Sequence, residues 1–157
     1  MFERLRRLAV ITMAACLTAA PVLAQPPAQA RPGAPAPTTP SAVAVLAMVR
    51  STLLAIDHGN RTGNYTVVRD LAGPQFREAN SAARLAQIFG PVVLQGVDLL
   101  AVAVAEPVYS RPARIDDKGM LHVVGIFRIP PRAVSFEILF EPVGGQWRLF
   151  AVGLLPA

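Results

Sequence analysis

Residues 120–154 read MLHVVGIFRIPPRAVSFEILFEPVGGQWRLFAVGL, and the fold turns on this stretch. β-branched and aromatic residues dominate it, and it is broken only at Pro130-Pro131 and Gly144-Gly145. That pattern predicts three antiparallel strands near 120–129, 133–142 and 146–154. A two-residue loop at Gly144-Gly145 and a hairpin centred on Pro130-Pro131 fix a register. One face then collects Leu121, Val123, Gly125 and Phe127, with Val134, Phe136, Ile138 and Phe140, and with Leu149, Ala151 and Gly153. It is wholly apolar, so it is the face that helices should cover. The other face takes His122, Val124, Ile126 and Arg128, with Ser135, Glu137, Leu139 and Glu141, and with Arg148, Phe150, Val152 and Leu154. It is mixed, and it sets Glu141 opposite Arg148 as an expected cross-strand ion pair. The apolar pairs Leu139–Phe150 and Ile126–Leu154 on that face imply a partner.

Upstream, further strands are expected near 97–105 and 108–115, with a turn at Asp116-Asp117-Lys118-Gly119. Before Gly96 the period changes to that of helices. Ser41 is an N-cap directly after Pro40, and Leu46, Val49, Leu53 and Ile56 recur at spacings of three and four. Gly59 and Asn60 are expected to stop this helix. Gly63-Asn64 should cap a second helix over Tyr65 to Ala72, ended by Gly73-Pro74. A third should start near Asn80-Ser81, present Leu85, Ile88, Phe89 and Val92, and kink or end at Gly90-Pro91. The expected class is α+β, three N-terminal helices packed on a curved antiparallel sheet.

Further toward the N-terminus the chain stops looking like a folded domain. Residues 25–40 are Pro, Ala, Gln, Gly and Thr with one charge, Arg31, a composition that cannot bury a core and reads as a flexible linker. Residues 1–24 carry Arg4, Arg6 and Arg7 and then an uncharged run from Leu8 to Ala20. With Val22-Leu23-Ala24 before Gln25, they read as a signal peptide cleaved after Ala24. The run is too short to span a bilayer, so no integral membrane span is expected after cleavage. Met13-Ala14-Ala15-Cys16 loosely resembles a lipobox, but the apolar run continues past Cys16, so a lipoprotein is the less favoured reading. The expected location is periplasmic or secreted, in a bacterium. Residues 41–157 then form one domain. Cys16 is the only cysteine, so no disulfide can hold that domain together.

The full chain has 15 basic and 10 acidic residues, a net charge of +5. Removal of residues 1–24 takes three Arg and one Glu, leaving 12 and 9, a net charge of +3. The basic residues are scattered, without interleaved aromatics, and give no support for nucleic-acid binding. No metal site or cofactor is expected: Asp116-Asp117 fits a turn, and nucleophile elbows and phosphate loops are missing. Asn60-Arg61-Thr62 and Asn64-Tyr65-Thr66 match the glycosylation pattern by chance in such a chain. Arg111, Arg114 and Lys118 ring the second hairpin, either as a solvated rim or as a greeting for an anion.

Several segments together resemble the nuclear transport factor 2-like superfamily. "Gly63-Asn64-Tyr65" looks like the family's Gly-Asp-Tyr opening of its second helix, with Asn64 in place of Asp. "Gly73-Pro74-Gln75-Phe76-Arg77" looks like its loop into the next element. "Gly144-Gly145-Gln146-Trp147-Arg148-Leu149" looks like its final hairpin. The resemblance implies a cone with a one-ended pocket between the helices and the inner sheet face, and commonly a homodimer built sheet to sheet. The dimer face would comprise Glu137, Leu139, Arg148, Phe150 and Val152. Members include isomerases, dehydratases and cyclases as well as binding and structural proteins.

An enzyme of this shape needs a base in the pocket wall. Asp70 and His122 are the weak catalytic candidates, with Asp57, His58 and Glu137 behind them; a solvated helix charge, a helix-end residue or a surface or interface residue is the more usual reading of each. The leading expectation is a non-catalytic protein that holds a small apolar ligand or partner segment against Tyr65, Phe76, Phe89, Phe127 and Phe136, residues that would otherwise be plain core. The competing expectations are a lyase or isomerase of small cyclic substrates, and a structural homodimer without a pocket.

Overall fold

The computed structural model describes residues 38–157. The expected signal peptide, Cys16 and all but the last residues of the expected linker lie outside the described residues. Helices come first and a five-stranded antiparallel sheet follows, which makes the chain α+β.

Helix α1, Ala42–Thr62, begins as its sequence predicts: Ser41 Oγ accepts from Ala44 N at 3.2 Å. It runs past the expected stop at Gly59-Asn60 and ends at Gly63, where φ is 73° and the N–H closes on Gly59 O at 2.8 Å. Gly59 has a packing role instead. A Cβ there would stand 2.6 Å from Tyr65 Cδ1, so the missing side chain is what lets the Tyr65 ring lie on the helix. By length and composition α1 could cross a membrane, yet Val45, Val49, Leu53 and Ile56 are buried in the core. It is a core helix of this fold.

Helix α2 spans Thr66–Leu71, and Asn64 Oδ1 accepts from Thr66 N at 3.0 Å just before it. The break at Gly73-Pro74 is also the start of a short helix α3, Pro74–Ala79, where a loop was expected. Helix α4, Ala82–Leu94, is capped by Ser81 Oγ and contains Pro91 without ending there. The carbonyl that loses its donor belongs to Gln87, on the solvent side, where water can replace it. The expected strand at 97–105 is instead a 3-10 turn, Leu99–Ala103, started by Asp98 Oδ1 accepting from Leu100 N. Leu99 and Val102, three apart, are its buried residues, so the helical period overrode the β-branched composition. Arg50 of α1 fastens this turn: Nε donates to Val102 O at 3.1 Å, and Nη2 to Ala105 O at 2.6 Å and to Glu106 Oε1 at 2.9 Å.

The sheet comprises β1, Pro107–Tyr109; β2, Arg114–Ile115; β3, Leu121–Phe127; β4, Val134–Val143; and β5, Gln146–Pro156. β1 and β2 lie end to end along one edge of β3, followed in order by β4 and β5. The expected strand 108–115 is therefore two fragments. The β3–β4 ladder pairs Phe127 with Val134 and Leu121 with Phe140, the register the sequence predicts. Leu121, Val123, Phe127, Val134, Phe136, Ile138 and Phe140 are all buried.

The β4–β5 ladder follows the expected register from Val143–Gln146 to Phe140–Leu149 and then shifts by one residue. Phe150 is the extra residue of a β-bulge, so Leu139 faces Ala151, not Phe150, and Ile138 faces Val152. Val152 and Leu154 thereby pack against the core, while Ala151, Gly153 and Leu155 share the outer face with Leu139, Glu137 and Ser135. The assignment of Val152 to the outer face is corrected by this shift. Burial drives it: strict alternation would have turned Ala151 and Gly153 inward, exposing a Val and a Leu to water. Glu141 and Arg148 do stand opposite one another, but they form no ion pair. Glu141 Oε1 instead occupies the place that a Cβ on Gly73 would take.

Candidate functional site

The helix-covered face of the sheet is densely filled. Tyr65, Phe76, Phe89, Phe127 and Phe136, the residues expected to line a pocket, belong to one buried cluster and are between 0% and 7% exposed. Phe127 and Phe136 pack with ring centroids 5.4 Å apart, and Tyr109 meets Phe136 edge-on at 6.3 Å. Gly125 makes room for this, since a Cβ there would sit 2.8 Å from Phe136 Cζ and 2.8 Å from Val108 O. The Tyr65 hydroxyl is engaged by Asn60 Oδ1, and burial holds its pKa above the ordinary tyrosine value.

At the hairpin end of this interface the packing opens. A cleft of about 300 Å³ runs between α1, α2 and the β4–β5 hairpin. Its apolar walls are Met48, Leu71, Phe140, Trp147 and Leu149, and Ser51, Gln146 and Arg148 bring polar groups to its lining. The ladder explains the composition: Phe140, Trp147 and Leu149 fall on one face of the hairpin, before the bulge reverses the alternation. Thr52 also lines the cleft, but its hydroxyl donates to Met48 O at 2.9 Å. Arg148 is half-buried and, among the described residues, has no ion-pair partner. No Asp, Glu or His lines this cleft.

The acid and base candidates lie elsewhere. Asp70 is exposed on α2, and His58 is exposed on α1. Asp57 does turn inward, but Arg61 Nε meets its Oδ2 at 2.7 Å, and Arg61 Nη2 reaches Asp98 Oδ1 at 3.1 Å. The hydrogen bond and charge of Asp57 hold the guanidinium pKa above its ordinary value. These three residues rim a separate cleft of about 370 Å³ with Asn60, Val97 and Pro131. His122 Nε2 stands 2.9 Å from Asp116 Oδ2, while Nδ1 is closed off from solvent without a partner. A ring so placed has no nitrogen open to a substrate. Asp116 Oδ1 accepts from Lys118 N and Met120 N, both at 2.9 Å. Its pKa lies below the ordinary carboxylate value, mainly through the Met120 N–H, with smaller contributions from His122 and Lys118. Asp116 is thus the anchor of the predicted turn.

The outer face of the sheet carries a broader trough of about 630 Å³ along Val124, Ile126, Ser135, Glu137, Gly153 and Leu155. Of the expected dimer face, Glu137 and Leu139 stand on this side, Arg148 alternates to it opposite Glu141 while also bordering the cleft, Phe150 sits at the bulge and Val152 is turned away. Gly153 and Leu155 were not singled out from the sequence. Gly153 signalled itself as a glycine inside a strand, but Leu155 changes face only because of the bulge.

Comparison with known proteins finds no matching family model, no similar curated protein and no similar solved structure.

Proposed function

We propose that the chain is an exported bacterial binding protein that holds a small apolar ligand in the cleft between α1, α2 and the β4–β5 hairpin. The observation that carries this reading is the cleft itself: apolar walls, a polar rim with an unpaired half-buried Arg148, and a lining without carboxylate or imidazole. Such a lining suits binding and leaves a lyase or isomerase without its base. The cleft lies nearer the hairpin than the five aromatic residues expected to form the pocket. Those residues are the packing on which it rests.

Arg148 favours a ligand with an anionic end, since a guanidinium beside apolar surface matches a carboxylate in both charge and geometry. The order of helices then sheet, with a cleft between the layers, supports the nuclear transport factor 2-like reading of Gly63-Asn64-Tyr65 and of the last hairpin. The leader over residues 1–24 supports export to the periplasm or beyond.

Trp147 is the single tryptophan of the chain and lies in the cleft, so its fluorescence reports occupancy directly. Titration with decanoate should change its emission saturably. Ser51→Phe, on an exposed helix position at the cleft, should abolish the response without loss of folding. Arg148→Leu should weaken decanoate more than the neutral decanol. Emission indifferent to both ligands, or a response untouched by Ser51→Phe, would sink the proposal.

A further inference from the structure

β5 is the last strand of the sheet, and its outer edge is hydrogen-bonded at one end only. There Gly73 N donates to Leu149 O at 2.8 Å, and Ala72 bridges Leu149. Among the described residues, no backbone bond reaches that edge between Phe150 and Pro156 from another segment. An open edge is a template for another strand, and proteins usually blunt it with charge or a helix. Here no charged residue occurs from Leu149 to Ala157, and Leu155 is 70% exposed. Val152 and Leu154 are only half-buried although they face the core side.

We propose that this edge is the seam of a homodimer, in which residues 151–155 of two copies pair antiparallel about a two-fold axis at Gly153 and join two sheets into one. The segment fits itself. Ala151 of each copy stands opposite Leu155 of the other on the outer face, and Val152 opposite Leu154 on the inner face. Small meets large, and no like charges oppose. The seam ends where it must: Pro156 has no N–H to donate, and Leu149 is already paired with the α2–α3 connection.

Glu137 decides between this seam and face-to-face packing. It is exposed in the middle of the outer face, beside Gly153, and has no ion-pair partner among the described residues. Sheet-to-sheet packing would take it out of water against an apolar trough. Edge pairing leaves it solvated and places the two Glu137 residues three strand spacings apart, about 14 Å, which exceeds the ~8 Å screening length of physiological salt. The expected outer-face dimer thus becomes an edge dimer, a claim that does not depend on the ligand reading of the cleft.

Sedimentation equilibrium of the purified protein should give a dimer. Ala151→Lys with Leu155→Lys places lysine opposite lysine twice and should weaken the dimer by about tenfold or more. Ala151→Glu with Leu155→Lys makes both pairs complementary and should restore it, a register-specific rescue that face-to-face packing does not predict. Circular dichroism melts establish that each variant is folded. Independently of any variant, amide exchange over residues 151–155 of the wild type should be slow when concentrated and faster on dilution. A wild-type monomer at about 100 µM, a concentration at which specific interfaces are normally filled, would overturn the seam. So would a double-lysine dimer of unchanged strength, no rescue by the charge swap, or exchange independent of concentration.

Discussion

One glycine and two carboxylates show how single residues set this structure. Gly125 was legible only as a member of the apolar face; its need is set by the Phe136 ring and the Val108 carbonyl, which belong to other strands. Gly125→Val should therefore destabilise the protein by about 1–3 kcal/mol through overpacking, read as a lower denaturant midpoint. Glu137 is exposed, so Glu137→Leu should change stability by no more than about 0.5 kcal/mol and, with the seam at the edge, should leave the dimer intact. Asp116 behaves differently because its carboxylate is held by backbone donors and by His122. Its folded pKa lies below the reference value of 3.8, so the stability it contributes is present above that value and is lost as pH falls through the folded pKa. Asp116→Asn should accordingly lower the melting temperature at neutral pH, with the gap to wild type closing below about pH 4.

Among the elements, caps and alternation were legible and their exceptions were not. Ser41 and Ser81 cap α1 and α4 as their sequences predict, because a cap is a contact of three residues. The β3–β4 register was equally legible, since apolar residues alternate on both strands. Three features escaped for tertiary reasons. Gly59 stays helical because Tyr65 lies on it; residues 99–103 form a 3-10 turn that Arg50 holds from α1; and Phe150 bulges because Val152 and Leu154 need the core side. The cleft was missed although Phe140, Trp147 and Leu149 keep the expected register, since the gap they leave against α1 and α2 is set by packing between elements. Deleting Phe150 removes only the extra residue, leaving Leu149 on Phe140 and Ala151 on Leu139, so Val152 and Leu154 should keep the core side and the loss should stay below the ~2 kcal/mol that turning them outward would cost, read from the urea midpoint.

For the whole molecule, the described residues form one packed helix layer and one sheet, with an apolar cleft at the hairpin end and an open edge on β5. The proposed export adds a prediction at this scale: N-terminal sequencing of protein recovered from the cell envelope should begin at Gln25. Most of the layer architecture followed from periodicity alone. The location of the cleft required knowing how tightly the five aromatic residues fill the interior. The most direct measurement is a map of decanoate-induced shifts in the amide resonances of the native protein. The account predicts changes clustered at Met48, Thr52, Leu71, Trp147 and Leu149. Changes confined to Val124, Ser135 and Gly153 on the outer face, or none at saturating decanoate, would contradict it.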